Sequence, residues 1–130
     1  MEIIVSQVQA RVPVTVFRSR GQINADTSPQ FQAEAEKAMK SGTRHLLLDL
    51  AETSYISSAG LRVLAYLMVL VRKWSDEGQG SGRQARDGVQ KSTYLRVSNA
   101  SPDVQRVLTV VGFDLFLDCD QSYEQALKAF

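Results

Sequence analysis

The chain has 130 residues, enough for one compact domain and too few for a second core. Hydrophobic residues make up 44% and charged residues 22%, which is ordinary globular composition rather than that of a disordered tail. Fifteen Lys and Arg against fourteen Asp and Glu leave a net charge of +1, so no net field draws the chain to nucleic acid or anionic lipid. One cysteine, Cys119, excludes an internal disulfide framework and a cysteine-based zinc cage. One histidine, His45, excludes paired-histidine metal sites and leaves little room for histidine-assisted nucleophilic catalysis. No metal or cofactor is expected. The N-terminus lacks a basic region and a cleavage site, and the longest apolar run, Val63 to Val71, is far short of the roughly 20 residues of a spanning helix. These features predict a soluble cytoplasmic domain with no membrane or nucleic-acid partner.

In chain order, Met1 to Val8 reads as a short strand, and Arg11 and Pro13 separate it from a second. That second strand, rich in β-branched residues, runs from Val12 to Arg20 and stops at the turn signal Gly21. A helix then starts near Thr27 to Pro29, capped either by Thr27 with Gln30 or by Ser28 with Pro29 at the first helical position. Phe31, Ala35, Ala38 and Met39 share one face of it, and Gly42 suits the left-handed position past its end. His45 to Leu50 reads as a strand buried on both faces, followed by a loop from Ala51 to Ser57.

From Ser58 a long helix is predicted, with Leu61, Leu64, Ala65, Met68 and Val71 as one stripe and Leu67, Leu70 and Trp74 as a second apolar side. Asp76 to Gln90 holds four of the eight glycines and one large apolar residue, so a mobile surface loop is expected. Ser92 to Ser98 reads as a strand, and Ser101-Pro102-Asp103 as a helix start. Val104, Val107, Leu108 and Val111 follow at helical spacing until Gly112. Phe113 to Leu117 reads as a last strand, and Tyr123, Ala126, Leu127 and Phe130 as a closing amphipathic helix. The order β-β-α-β-α-β-α-β-α favours an α/β domain with a mainly parallel sheet.

Most of the chemical signal lies between Leu46 and Leu64, where a buried strand leads to Ser57-Ser58 at the start of a hydrophobic helix. The first N–H groups of a helix lack internal partners and carry partial positive charge. A serine there serves as a cap, and a phosphate would be held by the same donors. Leu48-Asp49-Leu50 followed by Ser58-Ala59-Gly60-Leu61, in this order of elements, resembles the STAS family, the anti-sigma factor antagonists of bacteria. Gly21-Gln22-Ile23-Asn24 and the helix after it resemble the family's first characteristic segment.

The resemblance implies a single STAS domain over residues 1–130, with a four- to five-stranded mixed sheet and about four helices mainly on one face. The segment 76–90 would be a loop insertion, longer than the turn usual in the family. It further implies a protein-interaction module without catalysis of its own, whose partner is an anti-sigma factor that is also a serine kinase. Ser58 stands where the family carries its phosphoacceptor, with Ser57 as the alternative. Asn24, Ser57, Ser58, Ala59, Gly60, Leu61 and Arg62 would form the partner surface. Three positions depart from the usual pattern: Ser57 and Asn24 replace carboxylates, and Ala59 replaces a second hydroxyl residue. A monomer or weak dimer is expected.

Other readings are weaker. A small-ligand or nucleotide sensor would use the same helix N-terminus as an anion site. A serine hydrolase lacks the Gly-x-Ser-x-Gly elbow, and its only histidine precedes the serines. Cys119, between Asp118 and Asp120, is expected to be an inert thiol, and His45 and Asp49 are expected to be structural. Arg62 and Arg72 read as solvated helix residues, and Trp74 as cover for the edge of the core.

Overall fold

The computed structural model describes residues 2–76, 94–113, 118–120 and 122–130. Five strands form one sheet in the order β1-β2-β3-β4-β5: β1 (Glu2–Gln9), β2 (Pro13–Ile23), β3 (Leu46–Ile56), β4 (Leu95–Ser98) and β5 (Asp118–Asp120). β1 pairs antiparallel with β2, and each later neighbour pairs parallel with the one before. The helices are α1 (Ser28–Lys40), α2 (Ser58–Asp76), α3 (Pro102–Val110) and α4 (Tyr123–Ala129). The mixed α/β architecture expected from the alternation is therefore present. The expected loop at 76–90 lies outside the described residues apart from Asp76, which ends α2.

Alternation along β2 and β3 builds two cores. Phe17, Leu46, Leu48 and Leu50 face α1, α2 and α3, meeting Phe31, Ala35, Met39, Leu64, Leu67, Val71, Val104 and Leu108. Val14, Val16 and Leu47 face the other way and meet Ala126 of α4 and Phe130 just after it, and among the described residues α4 is the helix on that side. Because the first half of β3 is covered on both faces, it reads as an apolar run broken only by Asp49, which is buried and paired with Arg18.

Four expectations need correction. Gly21 does not end β2: it sits inside the strand with φ 103°, where the register to β3 shifts, so glycine here marks a bulge that carries the strand on to Ile23. The predicted loop from Ala51 is strand as far as Ile56. Ala51, Glu52, Ser54 and Tyr55 are exposed there, yet Thr53 and Ile56 are buried. The cap of α1 uses neither predicted arrangement. Thr27 is the capping position, but its hydroxyl accepts from Asn24 N–H at 2.9 Å and donates to Gln22 C=O at 3.0 Å, serving the preceding turn. Phe113, where the last strand is predicted to begin, lies in the turn after α3; the rest of that prediction, 114–117, lies outside the described residues, and the last described strand is Asp118–Asp120.

The stripe of α2 is also rotated from the predicted one. Val63, Leu64, Leu67 and Val71 are buried with Gly60, while Leu61 and Met68 flank them and Val69 is largely exposed. A helix apolar around most of its circumference leaves the choice of buried face to the packing. For α3, Ser101 caps as expected by accepting from Val104 N–H at 3.2 Å, and Val104 and Leu108 are buried. Val111 lies past the helix end and is exposed.

Candidate functional site

The C-terminal ends of β2 and β3 lie side by side, paired up to Ile23 and Ile56. β2 then turns into α1 at Asn24, and β3 turns into α2 at Ser57. The two turns are locked together. Ser57 N–H donates to Ile23 C=O at 2.9 Å. One turn into α2, Gly60 packs so closely that a Cβ on it would stand 2.4 Å from the Ile23 carbonyl oxygen and 2.9 Å from Ile56 Cγ2. Only glycine permits that approach. This position in the Ser58-Ala59-Gly60-Leu61 motif is therefore set by backbone contact between the two turns.

The neighbouring serines do different things. Ser57 precedes the helix, and its hydroxyl accepts from Gly60 N–H at 3.2 Å while its carbonyl accepts from Leu61 N–H at 2.8 Å. It is the cap. Ser58 is the first helical residue and its side chain is exposed. Its hydroxyl is not needed for capping, and the N–H groups of Ser58 and Ala59 have no acceptor within the helix. An oxyanion carried on Ser58 would thus sit at the positive end of a 19-residue helix.

Asn24 organises the facing turn. Its side-chain oxygen accepts from Asp26 N–H at 2.9 Å and Thr27 N–H at 3.2 Å, and its backbone carbonyl accepts from Ser28 N–H at 2.8 Å and the Ser28 hydroxyl at 2.6 Å. An aspartate oxygen could accept the same backbone bonds, so asparagine preserves the turn while removing a charge from its surface. Leu61 turns inward against the main core, whereas Arg62 is exposed on α2. Among the predicted surface residues, Asn24, Ser57, Ser58 and Ala59 thus gather at one end of the sheet, Gly60 and Leu61 support them from beneath, and Arg62 extends the surface along α2.

A groove of about 490 Å³ runs from this end between α1 and α2, with Ala25, Pro29, Ala59, Arg62 and Tyr66 among its walls. Tyr66 donates a hydrogen bond across it to the Glu36 carboxylate. That bond, followed by burial and the Glu36 charge, raises the Tyr66 pKa above its usual 10.0. The sequence reading did not single out this pair. Residues thirty apart on different helices leave no local signal, and only the i, i+4 spacing of Arg62 and Tyr66 hinted at a shared face. Tyr55, 53% exposed on the extension of β3, was missed because that stretch read as loop.

The other singled-out residues lie elsewhere. His45 is half-buried between the rings of Tyr94 and Phe130, with centroids at 5.5 and 5.8 Å, and burial lowers its pKa below 6.5. Asp49 is 1% exposed and fully used: Arg18 reaches it at 3.0 Å, Ala51 N–H at 3.1 Å and Asn99 Nδ2 at 3.2 Å. Its carboxylate ties β2, β3 and the turn after β4 together. Cys119 packs beside the main core, and Trp74 lies under the Arg44 guanidinium at 5.1 Å from its ring centre. Among the described residues no cluster of three or more His, Cys, Asp or Glu could hold a metal, and no helix is long and apolar enough to cross a membrane.

Known proteins match this chain in sequence pattern and in fold. The family model for the STAS domain matches residues 5–75. BtrV of Bordetella bronchiseptica, provisionally named an anti-sigma factor antagonist, is 32% identical over 111 residues, covering 85% of this chain and 81% of that protein. The crystal structure of an anti-sigma factor antagonist from Mycobacterium paratuberculosis superposes with a TM-score of 0.72 at 20% identity, covering 98% of this chain and 92% of that one. SpoIIAA of Bacillus in its phosphorylated form gives 0.62 at 17% identity over 96% of each chain. A strand pair ending in two interlocked turns, with serines opening the second helix, is thus found within a shared fold and a matching sequence pattern, and the chain belongs to the STAS domain family.

Proposed function

We propose that the protein is a phosphorylation-controlled interaction module of the anti-sigma factor antagonist type, acting in the cytoplasm without catalysis of its own. In this reading the unmodified surface around Asn24, Ser57, Ser58, Ala59 and Arg62 binds an anti-sigma factor that is also a serine kinase. The observation that carries it is the division of labour between the serines: Ser57 caps α2 and Ser58 stands exposed beside it. Support also comes from BtrV, which bears the antagonist name, and from SpoIIAA, whose structure is known phosphorylated and unphosphorylated.

The chemistry is a phosphoryl transfer. The partner's ATP loses its γ-phosphoryl group to Ser58 Oγ, the anhydride bond breaks to release ADP, and the hydroxyl proton passes to a base on the kinase. The product carries about −1.5 to −2 charges at the end of α2, where the helix dipole and free N–H groups favour it. The domain therefore stays folded, and the change falls on the partner, which would have to desolvate a dianion. Titration calorimetry against the cognate kinase tests this. Ser58→Ala should bind as the wild type does and Ser58→Glu much more weakly; equal binding by Ser58→Glu and wild type would contradict the reading.

The ligand-sensing alternative is supported by the groove between α1 and α2, which Ala59 and Arg62 line next to Ser58. A thermal-shift screen with nucleotides and phosphorylated metabolites separates the two. A shift with a nucleotide alone, lost in Arg62→Ala, would favour the sensor.

A further inference from the structure

The two edges of the sheet are treated differently. β5, at one edge, is a three-residue strand, Asp118–Asp120, carrying two carboxylates, which is how native edges avoid pairing. β1, at the other, is eight residues long, pairs with β2 without a register break, and holds no lysine, proline or bulge. Its only charge is Glu2, and Ile4 and Val5 are 40% and 43% exposed.

The outward-facing groups of β1 can be identified. At the hairpin tip Ala10 N–H donates to Val12 C=O at 3.1 Å, and Gln9 lies opposite Pro13, which has no N–H. Antiparallel ladders alternate, so Glu2, Ile4, Ser6 and Val8 bond to β2, while Ile3, Val5, Gln7 and Gln9 turn their N–H and C=O groups outward.

We propose that this edge pairs antiparallel with β1 of a second copy of the chain, about a two-fold axis at Ser6, to give one continuous sheet. In that register every outward residue finds a partner, Ile3 with Gln9 of the second copy and Val5 with its Gln7. On the α4 side Ile4 meets Val8, and Glu2 lies opposite Ala10, next to Arg11. The end of β1 borders a groove of about 520 Å³ against α4, lined by Val8, Ala10, Arg11, Glu124, Leu127 and Lys128. Arg11 and Lys128 make no ion pair among the described residues, and Glu2 of the second copy brings a carboxylate to them. Arg20, which Glu2 contacts at 3.2 Å, keeps Glu52 at 3.1 Å. The self-complementary register and this charge match favour a second copy over an unrelated strand. β2 stands between β1 and β3, so the pairing leaves the Ser58 end free and is independent of the function proposed above.

Sedimentation of the whole chain from low micromolar to millimolar concentration tests the proposal. A monomer–dimer equilibrium is expected. Val5→Pro, which removes an outward N–H and none of the bonds to β2, should raise its dissociation constant about tenfold or more. Glu2→Arg should weaken the dimer, and adding Arg11→Glu should restore it. In a Cys119→Ser background Ser6→Cys should oxidise to a covalent dimer, because residues facing each other across such an axis lie about 4.5 Å apart at Cα. Gln9→Cys, whose two copies lie at opposite ends of the ladder, should not. If Val5→Pro fails to fold, the cysteine pair decides. A chain that stays monomeric throughout, or a dimer that Ser6→Cys does not cross-link, overturns the proposal.

Discussion

Gly60 stands against the carbonyl of Ile23 with no room for a Cβ: the added carbon would lie 2.4 Å from that oxygen. Ile23 C=O also accepts the Ser57 N–H, so one carbonyl at the end of β2 fixes both the start of α2 and its first turn. Elsewhere in a helix, replacing glycine by alanine gains up to about 1 kcal/mol. Here Gly60→Ala is expected to reverse that sign and cost about 2 kcal/mol or more, because backbone rather than a flexible side chain must move. Chemical denaturation checks this, and a stabilised variant would show that the two turns are not locked as described.

The two serines should separate in stability as well as in chemistry. Ser57→Ala removes the acceptor of the Gly60 N–H and is expected to cost about 1 kcal/mol. Ser58→Ala, at an exposed first-turn position, should stay within about 0.5 kcal/mol of the wild type. Parallel urea melts of the two variants give the comparison, and the reverse ranking would reassign the cap.

Asp49 predicts a third result. Asp49→Ala leaves the Ala51 N–H and Asn99 amide without their acceptor and Arg18 without its carboxylate, at a cost of about 2 kcal/mol. Arg18 is itself 42% exposed and can be solvated, which keeps the loss below that of a fully buried pair. Because the carboxylate faces away from α1 and α2, on the side that α4 covers, partner binding at the Ser58 end should be unchanged in the folded variant. A variant with normal stability and lost binding would place Asp49 in the partner surface instead.

His45 gives the stability a pH dependence. Burial lowers its pKa below the 6.5 of the unfolded chain, so the unfolded state takes up a proton first as the pH falls. Its contribution is intact above about pH 6.5, is lost as the pH drops from there through the lowered folded value, and is flat below it. Melting temperatures between pH 7.5 and pH 5 should fall in the wild type and fall less in His45→Phe, which keeps a ring between Tyr94 and Phe130. Identical slopes would show that His45 does not titrate with folding.

The sequence made some of this legible for physical reasons and hid the rest for others. The apolar faces of α1, α3 and α4 follow from spacing because each helix has one buried side, and the first half of β3 announces itself as a Leu-rich run because helices cover both its faces. The second half of β3 reads as loop in sequence because Glu52, Ser54 and Tyr55 face solvent, where sheet pairing to β2 rather than burial holds the strand. Gly21 looked like a stop because a bulge and a turn call for the same residue. The serines, Gly60 and Asn24 could be picked out by pattern, and the cap itself is a bond between Ser57 and Gly60, three residues apart, but that Gly60 meets Ile23 depends on contact between segments more than thirty residues apart. The Tyr66–Glu36 bond and the groove it crosses belong to helix packing and left no trace in spacing.

In the proposed function Ser58 accepts a phosphoryl group and Ser57 does not. Intact-mass spectrometry after incubation with the cognate kinase and ATP tests it most directly, using wild type, Ser58→Ala and Ser57→Ala. One added phosphate is expected on wild type and on Ser57→Ala, and none on Ser58→Ala. Equal incorporation into wild type and Ser58→Ala would contradict it.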